Sequence, residues 1–575
     1  MNLPLFQDLK KYSKSKIEAQ FLIPIAVLSD TSSQLFVKAL KGFGKKESIE
    51  FDIYESDYDQ IHQEILNSGS EFHKEEREYV IILTSTEKLL ELYRKTPITE
   101  RHYFGKNKSD FFENLINNIS GFSKVILNTY PRSPDSIFGN YSSNVESSFN
   151  FQLSVLNLEL KKMQTKYGNT LLCDIEALQN FVGIHGRIDP KFYIKGNMAF
   201  RLEFLPLLTK NYLDIIRASK GIKLNKCLIL DLDNTTWGGI IGDDGIEGIH
   251  IGNLGIGKAF DALQQWAKDL KNRGIIICIC SKNTESIAKE PFEKHPDMTL
   301  RMDDISVFVA NWENKADNIR YIQEVLNIGF DSMVFLDDNP FERNLVIQEL
   351  PEVTVPELPA DPVEYMPYIQ QLNLFETASY TEEDDKRTKR YQEEAIRLSS
   401  KRTYGSIDEY LVSLQMNAEI KSFDTFSVPR VSQLTQRSNQ FNLRTQRYSE
   451  EDIKQIMESE DYLTLQVNLS DKYGEYGIVS LLIGKIEGDT LFIDTWIMSC
   501  RVLKRGVELF LLNNLVEKAK ELGLNYLVGE YIPTPKNDIV SMHYSDLGFI
   551  ETDNKNFTLD LSVHEPLLNK IKIMN

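Results

Sequence analysis

The 575-residue chain is short of cysteine, of positive charge and of long apolar runs, and each shortage excludes something. Its five cysteines, Cys173, Cys227, Cys278, Cys280 and Cys500, contain no Cys-x-x-Cys pair. That argues against a disulfide-stapled secreted fold and against a cysteine-ligated metal. Lys and Arg number 65 against 84 Asp and Glu, for a net charge of −19. Most of such a surface repels nucleic acid and anionic lipid. No run approaches the roughly 20 apolar residues of a membrane span. The first residues, Met1 to Lys16, lack the apolar stretch of a signal peptide. Internal repeats and long low-complexity segments are also missing. The expectation is a reduced, cytoplasmic protein with no nucleic-acid or membrane partner.

What is present is apolar sequence in short pieces. At 42% hydrophobic residues, a chain this long divides into several domains, each with its own core. Three apolar runs stand out. Cys227–Leu230 leads into Asp231-Leu-Asp233-Asn-Thr235; Ile275–Cys280 leads into Ser281-Lys282-Asn283; Met333–Leu336 leads into Asp337-Asp338. Short continuous runs of this kind read as strands buried on both faces of a parallel sheet. Ligands of open α/β sheets bind beyond the carboxyl ends of the strands, so these polar ends are expected to converge.

Around these runs the chain reads as three α/β units. Residues 1–220 alternate strands, at Phe21–Leu28, Tyr79–Leu83 and Lys124–Leu127, with helical patterns that end in a helix near Leu205–Ser219. Residues 221–376 hold the three runs, a Gly-rich flap from Trp237 to Gly245, and helices at Gly257–Asn272 and Asn314–Leu326. Four prolines between Pro351 and Pro362 mark an extended exit. Residues 377–404 are dense in charge and read as a solvated helical linker. Residues 405–575 carry strands near Leu463–Val467, Gly477–Ile483, Thr490–Met498 and Tyr526–Tyr531, with a long helix from about Gly506 to Leu522.

The Asp-x-Asp-x-Thr pattern at Asp231–Thr235 is the strongest chemical signal. Of two carboxylates at a strand-end turn, one can attack phosphorus while the other protonates the leaving oxygen. Both tasks benefit from a hard cation, and Mg²⁺ accepts a few carboxylates together with phosphate oxygens and water. Asp337 is the natural further ligand, Ser281 can donate a hydrogen bond to a phosphoryl oxygen, and Lys315 supplies an offsetting positive charge.

This constellation resembles the haloacid dehalogenase (HAD) superfamily, whose four motifs occur here in order. The resemblance implies Asp231 as nucleophile, Asp233 as general acid/base, Ser281 and Lys315 as catalytic partners, and Asp231, Asp233 and Asp337 around Mg²⁺. Only 33 residues separate Ser281 from Lys315, and a Gly-rich flap and one helix separate Asp233 from Ser281. Neither gap holds a cap domain, so the site is expected to be open to a large substrate. The strings Leu230–Gly239, Cys280–Asn283, Asn311–Lys315 and Leu336–Arg343 are similar to the FkbH-like group of uncapped HAD proteins. So are Asn439–Leu443, Tyr473–Val479, Ser499–Val502, Pro533–Asn537 and Leu547–Phe549. The resemblance implies a Mg²⁺-dependent phosphatase or phosphotransferase of a biosynthetic pathway acting on a phosphorylated small molecule, with Lys282, Asn283 and Asp338 facing the substrate. Some members load a glyceryl group from 1,3-bisphosphoglycerate onto an acyl carrier protein, which is the alternative activity and partner.

The last unit resembles the GNAT acyltransferase fold, in which a Gly-rich loop and a helix N-terminus hold the diphosphate of coenzyme A or a phosphopantetheine. The corresponding residues are Arg501, Lys504 and Gly506, with Lys504 where the pattern places a glycine. Cys500, beside this loop, is a candidate acyl carrier, because nearby cations and a helix N-terminus activate a thiol. The first unit resembles SGNH-type hydrolases at Leu28-Ser29-Asp30-Thr31. Thr31 stands where the nucleophilic serine belongs, and Asp174-Ile-Glu-Ala177 lacks the expected histidine; His185 lies eleven residues later. A degenerate hydrolase fold used for docking or positioning is the expectation.

Overall fold

The computed structural model describes residues 3–119, 121, 123–134, 136–378, 393, 397, 406–438, 440–499, 502–534, 536–553 and 555–574. They fall into two compact units, residues 2–216 and residues 217–575. No described helix is long and apolar enough to cross a membrane.

The first unit is a five-stranded parallel sheet. Its strands are β1 (Phe21–Ser29), β2 (Ile49–Glu55), β3 (Tyr79–Leu83), β4 (Lys124–Asn128) and β5 (Thr170–Cys173). Their order is β2-β1-β3-β4-β5, and every neighbouring pair is parallel. The apolar runs behind β1, β3 and β4 are plain in the sequence. β2 and β5 are not, because Ile49–Glu55 mixes Glu50 and Asp52 into an outer strand and β5 has only four residues. Both are edge strands, where one side of the ladder faces no partner.

The second unit holds two sheets. The parallel one consists of β6 (Cys227–Leu230), β7 (Ile276–Ser281), β8 (Val307–Ala310) and β9 (Met333–Leu336), in the order β8-β7-β6-β9. Strand side chains alternate between faces, and both faces are covered here. Leu228, Leu230, Ile277, Ile279, Val334 and Leu336 pack with Phe260, Leu263 and Ala267 of the helix Gly257–Asn272. Cys227, Ile229, Cys278, Cys280, Met333 and Phe335 pack with Ile319, Ile322 and Val325 of the helix Lys315–Leu326. Burial on both sides is why these strands are unbroken apolar runs, and why the three cysteines there act as small core residues.

The other sheet is mixed. It comprises β10 (Asn417–Lys421), β11 (Tyr462–Asp471), β12 (Gly474–Glu487), β13 (Thr490–Met498), β14 (Tyr526–Glu530), β15 (Ile550–Asp553), β16 (Asn556–Asp560) and β17 (Lys572–Ile573). The order is β15-β16-β14-β13-β12-β11-β10-β17. β13 and β14 are parallel, joined by the helix Val507–Glu521, and pair only from Thr490 with Tyr526 to Ile493 with Gly529. Beyond that point they part. This mixed sheet with a splayed parallel pair is the arrangement expected of a GNAT-like domain. Most of the expected linker, residues 377–404, lies outside the described residues. Its Arg397 is buried against Asp471, with nitrogen–oxygen distances of 2.8 and 2.9 Å.

The two sheets of this unit meet at one edge of the parallel sheet. Lys226, just before β6, donates through Nζ to the carbonyl of Arg437 at 3.3 Å. Asp331, just before β9, pairs with Lys536. Both contacts lie at the amino ends of the parallel strands.

Candidate active site

The carboxyl ends of β6, β7 and β9 bring the polar residues together. Asp231 follows β6, and its backbone N–H bonds to the carbonyl of Leu336, the last residue of β9, at 3.0 Å. That ladder bond sets Asp231 beside Asp337. Lys315 opens the helix Lys315–Leu326, whose N-cap Asn314 accepts from the backbone of Asp317 at 2.8 Å. The cap fixes where the helix starts, and so places the lysine: its Nζ lies 2.9 Å from Asp231 Oδ1 and 2.5 Å from Asp337 Oδ2. All three residues are buried.

Asp231, Asp337 and Asp338 each offer a carboxylate oxygen within 4.8 Å of the others. Burial pushes the Asp337 carboxyl up to about 7, Asp231 adds to the rise and Lys315 works against it. Asp338 is likewise raised, by burial first and then by Asp231. Burial opposes the Lys315 ammonium, yet Asp231 and Asp337 more than offset it and hold the lysine charged. Three carboxylates face one ammonium in a largely buried site, so acidic groups are in excess there. Hard oxygen ligands with that excess fit a divalent cation.

The carboxylate of Asp233 lies outside this group. Its Oδ1 accepts from Trp237 Nε1 at 2.9 Å and from the backbone N–H of Ile241 at 3.0 Å; its Oδ2 accepts from Asn283 Nδ2 at 2.8 Å. Burial raises its pKa despite these donors. Among the described residues, the carboxylates grouped closely enough to hold a metal are Asp231, Asp337 and Asp338; the side chain of Asp233, also expected at the metal, stands apart from them. The turn that follows Asp233 runs through Asn234, whose φ of +54° lies in the left-handed region that asparagine tolerates, and it brings Trp237 back beside Asp233. Thr235 ties it to β9 by accepting from the backbone N–H of Asp338 at 2.9 Å.

Ser281 is buried as the last residue of β7. Lys282 is paired with Glu342 at 2.6 Å, and Asn283 with Asp233, so both side chains have protein partners where substrate contacts were expected. Two residues escaped notice as individuals in the sequence. Arg343 is buried and donates to the carbonyls of Asp337 and Asp338 at 2.7 and 2.6 Å, fixing the acidic turn. A cation in the first turns of a helix opposes the helix dipole, and that mismatch was the available signal. Trp237, buried in the flap, orients Asp233; nothing in its spacing distinguishes it from a core tryptophan. The flap itself contributes one short helix, Ile241–Gly248, so among the described residues no cap domain is inserted between Asp233 and Ser281 or between Ser281 and Lys315.

The other candidate positions are less concentrated. Cys500 and Arg501 lie outside the described residues. Lys504 is exposed with a φ of +60°, and Gly506 caps the helix Val507–Glu521 with a φ of +83°. In the first unit, both oxygens of Asp30 face the backbone N–H of Ser85, at 3.1 and 3.0 Å. Thr31 is buried. Asp174 caps a helix, accepting from Ala177 N at 3.1 Å and from Thr129 Oγ1 at 2.7 Å, while His185 is exposed on that helix.

A parallel sheet with an acid–lysine cluster at its carboxyl edge and no cap defines an uncapped HAD-type domain. The model of the FkbH N-terminal domain family matches residues 24–217. The N-terminal part of the protein BF1531 from Bacteroides fragilis, solved with its phosphatase domain complexed with Mg, is 47% identical. That match covers 66% of this chain and 100% of that one, with a TM-score of 0.64. The chain belongs to the FkbH-like family of the HAD superfamily. The ribosomal-protein-S18-alanine N-acetyltransferase from Escherichia coli is similar at 19% identity, covering 26% of this chain and 98% of that one, with a TM-score of 0.21. The spermidine N-acetyltransferase from Vibrio cholerae, solved with CoA and spermine, is similar at 12% identity over 26% of this chain and 96% of that one, with a TM-score of 0.21. No curated protein matches.

Proposed function

We propose that the chain is a Mg²⁺-dependent phosphohydrolase or phosphotransferase that works through a phosphorylated Asp231. The observation that carries this reading is the buried cluster of Asp231, Asp337 and Asp338 around Lys315. Asp231 attacks phosphorus as the bond to the leaving oxygen breaks, and Asp233 gives that oxygen its proton. Asp233 then takes a proton from water as the water attacks the phospho-aspartate, returning Asp231 and releasing phosphate. Its raised pKa suits a group that must carry a proton in the first step. Lys315 balances charge on the phosphoryl oxygens, and Ser281 donates to one of them. Mg²⁺, held by Asp231, Asp337 and Asp338, would supply further charge neutralisation there. The Mg bound by the Bacteroides protein supports that choice of ion.

The substrate class is a phosphorylated small molecule. The lack of a cap insertion between the site motifs favours a second reading, in which an acyl phosphate such as 1,3-bisphosphoglycerate gives its glyceryl group to an acyl carrier protein. The C-terminal domain docks at the amino ends of the parallel strands, while Asp337 lies past the opposite end of β9, on the order of 15 Å away along a strand of this length. An acceptor would therefore have to reach Asp231 on a mobile arm. A phosphate-release screen over sugar phosphates and acyl phosphates, with and without Mg²⁺ and a phosphopantetheinylated carrier protein, tests both readings. Release that ignores Mg²⁺ would refute the first; release that ignores the carrier would refute the second. Mass spectrometry after incubation with an acyl phosphate tests Cys500, and the absence of an adduct removes it from the reaction.

A further inference from the structure

The GNAT-like domain implies a cleft between β13 and β14 that takes the pantetheine arm of coenzyme A, and here that cleft is filled. After Ile493 and Gly529 the two strands part, and the segment Phe441–Arg444 enters between them. Asn442 forms an antiparallel bridge with Ile497. Met498 N donates to the carbonyl of Phe441 at 3.3 Å, and Ile532 N to the carbonyl of Leu443 at 2.8 Å. The segment is thus bonded to both sides of the opening. Phe441, Asn442 and Leu443 are at most 5% exposed.

Side chains lock it in place. Asn537, fully buried, donates through Nδ2 to the carbonyls of Asn442 and Ile532, both at 2.9 Å. Arg444 spans the opening, bonding Asp494 of β13 at 2.5 Å and Glu530 of β14 at 2.7 Å. The backbone N–H groups of Met498 and Ile532, on either side of the opening, are taken by the wedge.

The diphosphate end of the site fits no better. Glu508 sits in the first turn of the helix Val507–Glu521, and an acid there competes with a phosphate for the positive helix end. Arg505 points inward and bonds Tyr476 Oη.

We infer that the splayed cleft of this domain is a closed structural joint that binds neither coenzyme A nor phosphopantetheine. The loop that pins the wedge through Asn537 is the same loop whose Lys536 pairs with Asp331 of the parallel sheet. The wedge is therefore part of what fastens the two domains together. This inference is independent of the phosphatase reading and survives its failure.

Hydrogen–deuterium exchange on the full chain, with and without millimolar coenzyme A or pantetheine, is the test. Peptides covering Phe441–Arg444, Trp496–Met498 and Glu530–Ile532 should exchange as slowly as β12 and should not change with either compound. Calorimetry should show no saturable binding. Fast exchange in these peptides, a change on adding either compound, or one-to-one binding would overturn the inference. Asn537→Ala should speed exchange in Phe441–Arg444 without creating binding. A variant that gained coenzyme A binding would show a gated donor site instead, and an unchanged wedge would show that Asn537 does not pin it.

Discussion

Two parallel sheets in this chain each carry an aspartate immediately after an inner strand: Asp30 after β1 and Asp231 after β6. The strands are built alike, from unbroken apolar runs, and both aspartates are buried. Their surroundings differ. Asp231 has a lysine ammonium at 2.9 Å and two further carboxylates close by. Asp30 accepts from one backbone N–H and feels Lys88 only at a distance, and burial pushes its carboxyl up to about 8 despite both. The neighbouring strand ends decide the difference. At β9 the next residue is Asp337 and at β8 the following helix opens with Lys315, whereas at β3 and β4 the nearby residues are Ser85 and Asn128, which bond to backbone. An aspartate at a strand end becomes reactive only through what adjoining strands set beside it.

The sharpest test of that contrast is a pair of asparagines. Asp231→Asn should cut phosphate release by on the order of 10⁴-fold or more, as removal of a nucleophile does in other covalent catalysts, with the circular dichroism spectrum unchanged. Asp30→Asn should leave release intact. Equal losses in both variants would erase the distinction between the two sites.

Lys315→Met strips Asp231 and Asp337 of their shared cation. Removing such an electrostatic partner should cost about 10²–10³ in kcat. It should also destabilise the folded chain by about 3–5 kcal/mol, because breaking a buried pair leaves uncompensated charge. Kinetics and urea unfolding in the absence of Mg²⁺ measure the two effects, and a variant with normal kcat would remove Lys315 from the chemistry.

Asn283→Ala probes whether Asn283 serves the acid or the substrate. Losing its bond to Asp233 should lower kcat roughly tenfold, the equivalent of one modest hydrogen bond, with KM unmoved. A rise in KM at constant kcat would return Asn283 to the substrate.

The pH dependence of stability separates two buried groups, and their effects run in opposite directions. Asp30 titrates near 3.8 when unfolded and about 8 when folded. The folded state binds more protons between those values, so its contribution to stability falls as pH rises through that window. His543, buried in the C-terminal domain, is pushed by burial from 6.5 down to about 3. There the unfolded state binds more protons, so stability is present above 6.5 and is lost as pH falls toward 3. Calorimetry of the full chain from pH 4 to 8, with Asp30→Asn and His543→Gln flattening the respective trends, checks both signs.

The sequence alone made much of this legible. Continuous apolar runs ending in acids, serine or asparagine located β6, β7 and β9, since a strand buried on both faces has no polar alternation to confuse the reading. The helix Lys315–Leu326 was legible from Asn314 and its periodicity. Less visible were β8, a four-residue edge strand, and β2, whose acids interrupt its pattern.

Tertiary structure alone decided which carboxylates share a site. Spacing put Asp231 and Asp233 two residues apart, but the left-handed Asn234 turn brings Trp237 back to Asp233 and the end of β7 brings Asn283 to it. The ladder between β6 and β9 then brings Asp337 and Asp338 to Asp231 across more than a hundred residues. The closure of the β13–β14 cleft was equally invisible, because a segment that fills a cleft does so with backbone hydrogen bonds, which any residues can make. Side-chain type and spacing determine which chemistry a chain can hold; chain crossings and backbone pairing determine which groups meet.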